Sequence, residues 1–198
     1  TVHGLHVSPD LDSVTYALAG LTNPDTGWGV ADESFRTLAA LGRLGAETWF
    51  GLGDLDLATH IRRTDLLGQG LTLSEATAEI TSHLGISHVV VPMTDDPVRT
   101  IALTDEGELA FQEYFVHRGC EPRITGVRFD GADAAKPSPA FAEALVRADA
   151  IVFCPSNPLV SIGPVLAVPG VYDAIESFTG PRIAVSPIVG GQALKGPA

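Results

Sequence analysis

Ala150-Ile151-Val152-Phe153-Cys154-Pro155-Ser156-Asn157-Pro158 is the stretch that decides the fold. A short, apolar, β-branched run of this kind makes a buried strand, and here it passes without a gap into a polar turn. The same handover recurs at Arg182-Ile183-Ala184-Val185, which runs into Ser186-Pro187 and then Gly190-Gly191. Residues 171–178, between the two, read as helix. Strand, helix and strand in succession predict a right-handed parallel crossover. Upstream, His88-Val89-Val90-Val91-Pro92-Met93 reads as a third buried strand, and it leads at once into Thr94-Asp95-Asp96-Pro97. The predicted class is α/β with a mostly parallel sheet.

Outward from these runs, residues 100–103 and 109–116 flank Asp105-Glu106-Gly107 and predict an antiparallel hairpin insertion. A further strand is expected at 124–129, and a helix near Ser138-Pro139, where proline suits the first turn. The first half is helical. Asp32 and Glu33 precede Phe35, Leu38 and Ala39, with Gly45 as a stop. Residues 54–67 carry Leu57, Ala58 and Ile61 on one side. Thr72 and Glu75 form a capping box before a third helix that ends at Gly85. A helix over 14–19 follows a turn containing Ser8, Asp10 and Asp12.

The 198 residues fit one domain, and 45% hydrophobic with 18% charged residues suits a packed core rather than disorder. A net charge of −12 argues against a broad grip on nucleic-acid phosphates, while leaving room for a small phosphorylated ligand with a divalent metal. Cys120 and Cys154 have no zinc-like spacing and no disulfide framework, so a reducing cytoplasm is the simplest setting. No apolar run is long enough for a membrane span, and no signal opens the chain, so a soluble protein is expected. Thr1 in place of Met, and an end at Gly196-Pro197-Ala198, read as an excerpt of something longer.

Ligands of open parallel sheets bind beyond the carboxyl ends of the strands. Three such ends predict one cleft lined by Thr94, Asp95, Asp96, Ser156, Asn157, Ser186 and Gly190, although each loop alone reads equally as a turn. Carboxylates pair at Asp10/Asp12, Asp54/Asp56 and Asp95/Asp96, a pattern that can hold magnesium. Asp54 reads equally as a helix cap, and the metal reading is preferred at Asp10 and Asp12. His60, Arg62 and Arg63 are local cations suited to a diphosphate clamp, or ordinary helix-surface residues; Arg99 leaves the proposed cleft, and Lys195 is too isolated to read. No nucleophile elbow, Walker lysine or complete dinucleotide fingerprint is present.

Six ordered motifs then carry a resemblance: His6-Val7-Ser8-Pro9-Asp10-Leu11-Asp12, Gly53-Asp54-Leu55-Asp56-Leu57-Ala58-Thr59-His60, Met93-Thr94-Asp95-Asp96-Pro97-Val98, Phe111-Gln112-Glu113-Tyr114-Phe115, the segment from Pro155-Ser156-Asn157-Pro158 through Gly163-Pro164, and Ser186-Pro187-Ile188-Val189-Gly190-Gly191. Together they resemble the 2-phospho-L-lactate transferase family of coenzyme F-420 biosynthesis, in its bacterial form. The resemblance implies a Rossmann-like sheet with helices on both faces and a magnesium-dependent, cytoplasmic homodimer. It further implies transfer of a phospholactyl or phosphoenolpyruvyl group from a guanosine-diphosphate-activated donor to the deazaflavin Fo, with GMP released. Asp10 and Asp12, with Ser8, would lie at the deazaflavin and metal end, Asp12 as the catalytic carboxylate. The loops Thr94-Asp95-Asp96-Pro97 and Ser156-Asn157-Pro158 would meet guanosine or diphosphate, with Ser186 and Gly190 closing the cleft; Arg99, His60 and Arg63 join the candidate substrate-binding residues by their charge. Family members ordinarily begin with a glycine-rich segment and continue beyond the position of Ala198, so both parts are expected to be missing here. The alternative is a non-catalytic, nucleotide-sugar-binding regulator of the same superfamily.

Overall fold

The computed structural model describes residues 1–190 and the backbone of 192–193. Gly191, Leu194 and Lys195 lie outside the described residues. By its internal contacts the chain groups into two compact units, Thr1–Pro92 and Met93–Ala198, and each is taken by itself.

The first unit contains helices α1 (Pro9–Leu18), α2 (Arg36–Arg43), α3 (Asp54–Gly68) and α4 (Leu73–His83). Helix α1 begins earlier than the sequence reading placed it. Pro9 occupies the first turn, where its missing N–H costs nothing, and Asp10 and Asp12 complement the positive end of the helix. The two carboxylates are therefore in the helix and not in a turn before it. Asp32 and Glu33 likewise do not open α2. Glu33 instead accepts hydrogen bonds from the Leu55 and Asp56 N–H groups, at 2.7 and 3.0 Å, and so caps α3. The capping box is present: Thr72 accepts from Glu75 N–H and Glu75 accepts from Thr72 N–H. Leu66, Ala76 and Ile80 form a core between α3 and α4, with Leu67 and Leu71 packed against it. Gly85 sits at φ +71°, in the left-handed region that terminates helices.

The second unit holds β1 (Arg99–Thr104), β2 (Gly107–Ala110), β3 (Ile124–Asp130), α5 (Pro139–Arg147), β4 (Ile151–Phe153), α6 (Gly163–Ala167), α7 (Val171–Ser177), β5 (Arg182–Ala184), β6 (Ile188–Val189) and β7 (Gln192–Ala193). The hairpin is β1–β2, and β3 adds antiparallel to the other side of β1, giving the order β2-β1-β3. The strand expected over 109–116 stops at Ala110. Residues Glu113–His117 wind as a π-helix that buries Tyr114, a second departure from the extended reading. A second π-turn, Pro158–Ile162, follows Asn157, whose side chain accepts from Leu159 and Val160 N–H and thereby sets its start.

Strands β4 and β5 pair in parallel across α7, as the crossover predicted. The run 88–93 is not a strand. It forms no ladder among the described residues, and Val89 is 87% exposed while Val90 is buried. β-branched residues favour extended backbone, but only a partner can satisfy its N–H and C=O groups and make it a strand. Among the described residues the fold is thus a mixed α/β arrangement of helices with three small sheets. Ala135, Val168 and Val171 form the core of this unit, packed by Met93, Val98, Phe141, Leu145, Val165 and Ile175.

Candidate functional site

In the first unit, α1 and α3 bring together side chains that sequence distance separates. Asp12 faces inward from the first turn of α1 and is 4% exposed. Arg63, equally buried, comes from α3 and grips both Asp12 carboxylate oxygens, through NH2 on Oδ1 and through NH1 on Oδ2 at 3.3 Å. Its NH1 also points at the His6 carbonyl and at His60 Nδ1, each at 3.3 Å. A bidentate guanidinium–carboxylate pair out of water is rigid, and it fixes the orientation of Asp12.

Asp56 and His60 sit four residues apart on α3, so the helical period places them on one face. Asp56 Oδ1 accepts from the Tyr16 hydroxyl at 2.6 Å, while His60 Nε2 lies 3.2 Å from Asp56 Oδ2 and His60 Nδ1 3.8 Å from Asp12 Oδ2. One ligand atom from each of Asp12, Asp56 and His60 falls within 4.8 Å of the others. Burial works to raise the Asp56 carboxyl, but hydrogen bonds from His60 and Tyr16 outweigh it and hold the group below its ordinary range. Burial, then the bond to Asp56, pushes the Tyr16 phenol upward, so it remains a donor. His6 is lowered by burial and then by the Arg63 charge; its Nδ1 is 3.3 Å from Ser8 Oγ. Asp10 keeps an exposed surface, yet the protein packed around it, and then the Asp12 charge, push its carboxyl above the usual range.

The sequence reading placed Asp10, Asp12, Ser8, His60 and Arg63 in the site. Tyr16 was missed, and Asp56 was left outside the site. The signal for Asp56 was its spacing from His60; nothing local marked Tyr16. Arg62 pairs on the surface with Asp65 and Glu79, and Arg63 is committed to Asp12, so a diphosphate clamp would require one of these pairs to open.

In the second unit, the loops after β4 and β5 emerge side by side, because the strands are parallel neighbours. They carry Ser156, Asn157 and Pro158, and Ser186 and Gly190. Asn157 caps the π-turn, and Ser186 Oγ accepts from Ile188 N–H at 3.1 Å. Thr94 is buried and bridges to Pro137; its hydroxyl accepts from Asp96 N–H, and Asp96 Oδ2 accepts from Lys136 N–H at 2.9 Å. The described bonds of Thr94 and Asp96 thus run to the segment before α5. Arg99 is exposed at the start of β1.

Two chains of known name are similar over almost this whole length. A 2-phospho-L-lactate transferase of Methanopyrus kandleri is 45% identical over 196 residues, 98% of this chain and 63% of the relative. A phosphoenolpyruvate transferase of Streptomyces coelicolor is 46% identical over 202 residues, again 98% of this chain and 63% of the relative. The chain therefore spans about three-fifths of the length of these relatives. In fold it resembles a solved UPF0052-family protein from Bacillus halodurans, with a TM-score of 0.58 at 19% identity over 86% of this chain and 51% of that one. The buried Asp12 and the Asp56–His60 pair fall in the first two of the six ordered motifs, and the family described as 2-phospho-L-lactate transferase CofD matches residues 1–198: the chain belongs to that family.

Proposed function

We propose that the chain forms part of a transferase that moves a phospholactyl or phosphoenolpyruvyl group from its guanosine-diphosphate-activated form to the deazaflavin Fo. The observation that carries this reading is the Asp12–Arg63 pair beside Asp56, His60 and Tyr16, a polar centre whose Asp12, Asp56 and His60 come from two of the six motifs. In the reaction an Fo hydroxyl oxygen attacks the phosphorus that bears the small acid. A new P–O bond forms, the anhydride P–O bond breaks, the electron pair leaves with GMP, and the hydroxyl proton passes to a base. Positioning and charge neutralisation supply most of the rate in such a displacement.

Asp12, both oxygens held by Arg63, is fixed in orientation and placed to align the attacking hydroxyl. Magnesium would fit the acidic first turn of α1, where Asp10 is the open oxygen donor, and when bound would neutralise diphosphate charge. In the second unit, Thr94, Asp95, Asp96, Arg99, Ser156, Asn157, Pro158, Ser186 and Gly190 serve the nucleotide. The parallel β4–β5 pair is the seed of a Rossmann-like sheet with helices on both faces. The setting is cytoplasmic and the assembly a homodimer; among the described residues no single helix is long and apolar enough to cross a membrane.

Identities of 45 and 46% do not separate the two donors. Incubation with each donor, Fo and magnesium, followed by the mass of the product, decides between them. Product from either supports the reading, and binding of a UDP-sugar without any binding of Fo reverses it in favour of the regulator.

A further inference from the structure

We propose that His60 is a positioning residue for Asp12: it sets where the Arg63 guanidinium lies, and Asp56 and Tyr16 in turn set His60. This role rests on the transfer reading, in which Asp12 aligns the attacking hydroxyl. At 1% exposed, His60 has no surface to offer a substrate, so its part is played through its neighbours. Asp56, His60 and Arg63 stand four and three residues apart on α3, which the helical period gathers on one face.

The direction of each bond is fixed by what its partners can do. A guanidinium has protons to give and no lone pair with which to accept, so the ring nitrogen that meets Arg63 NH1, Nδ1 at 3.3 Å, is the bare one. The ring then carries its proton on Nε2, which stands 3.2 Å from Asp56 Oδ2. Asp56 Oδ1 is taken by the Tyr16 hydroxyl at 2.6 Å, and this leaves Oδ2 for His60. The bonds therefore run one way, from Arg63 to His60 to Asp56, with Tyr16 donating into the same carboxylate. The other tautomer, or a charged ring, would put a proton on Nδ1 against the guanidinium. The cation that Asp12 and Asp56 face is Arg63 itself, and the ring holds it in place.

What the ring does to Arg63 follows from a count of protons. NH1 carries two, whereas three acceptors stand 3.3 Å from it: the His6 carbonyl, Asp12 Oδ2 and His60 Nδ1. Its position is a balance of three pulls and not a fit to Asp12 alone. Arg63 Nε, buried and without a partner among the described residues, adds no further tether. Without the ring acceptor, NH1 would settle toward His6 and Asp12 and carry the carboxylate with it. A misplacement of about 1 Å is enough to slow a reaction that depends on alignment, so the loss falls on turnover.

The test uses the full chain with Fo, a guanosine-diphosphate-activated donor and magnesium. Nitrogen NMR of histidine-labelled protein should show the His60 proton on Nε2 and none on Nδ1. In His60→Leu, checked for folding by circular dichroism, kcat should fall by about tenfold to a hundredfold while KM for the donor stays within about twofold. His60→Gln, whose amide offers one acceptor and one donor, should recover most of that loss, which a space-filling role would not predict. Tyr16→Phe, one bond further along, should lower kcat less than His60→Leu, and it carries the kinetic test should the leucine variant not fold. A proton on Nδ1, wild-type kcat in folded His60→Leu or in Tyr16→Phe, or Gln no better than Leu overturns the proposal. Wild-type protein that makes no product removes the transfer reading instead, and the spectrum alone then decides whether the ring holds the guanidinium.

Discussion

The α1–α3 region takes two carboxylates, a guanidinium and an imidazole largely out of water, whereas the β4–β5 pair leaves Val152 and Ile183 55 and 51% exposed. Ordinary folding does the reverse: charge stays wet and parallel strands are covered on both faces. The contrast separates two kinds of cost. In the helical region the desolvation of charge is offset only while every partner is in place. In the strand region exposed hydrocarbon forgoes a gain but leaves nothing unsatisfied, so single changes there matter little.

Removing one partner from the polar centre gives the largest expected effect. Arg63→Met strands a buried Asp12 and should cost about 3–5 kcal/mol in urea unfolding, and adding Asp12→Leu should restore most of the loss. A single-variant cost below about 1 kcal/mol would erase the contrast. Next, Tyr16→Phe deletes a hydrogen bond to a carboxylate and should cost about 1.5–3 kcal/mol by the same measurement.

A third prediction concerns the exposed rim of the same unit. Asp54 accepts from Ser34 Oγ at 2.5 Å and from Thr37 and Arg36 N–H, and these bonds, Ser34 first, hold its carboxyl down to about 2 from an ordinary 3.8. Because the folded value is the lower, the stability it contributes is complete above about pH 4 and is lost as pH falls through about 2. Melting curves of wild type and Asp54→Asn should therefore converge across that window; a gap that persists at pH 2 would exclude this clip. The smallest effect is expected at the open sheet, where Val152→Thr should change stability by no more than about 0.5 kcal/mol.

What could be read from the sequence follows the same division between local and distant causes. The Thr72–Glu75 capping box and the Asp105-Glu106-Gly107 hairpin were legible because their bonds close within a few residues. Residues 88–93 were misread because strand identity is conferred by a neighbour, and the π-helix at Glu113–His117 because aromatic residues there suit strand and helix alike. In the candidate site, the motifs identified Asp10, Asp12 and His60. They could not reveal that Arg63 is spent on Asp12 or that Tyr16 reaches Asp56, since these bonds span 51 and 40 residues.

The π-turn at Pro158–Ile162 has its own consequence. Such a turn accommodates one residue more than an α-helical turn does, so shortening this segment by a single residue would let it wind regularly. The turn thus absorbs its extra residue within itself, and α6 would keep nearly the same facing after that deletion. A deletion inside α6 has no such slack: each residue of an α-helix advances the chain by about 100°, so Val165 would be carried away from the Val168 and Val171 core. The segment after β4 therefore tolerates a change of length at the π-turn and not in the helix that follows it.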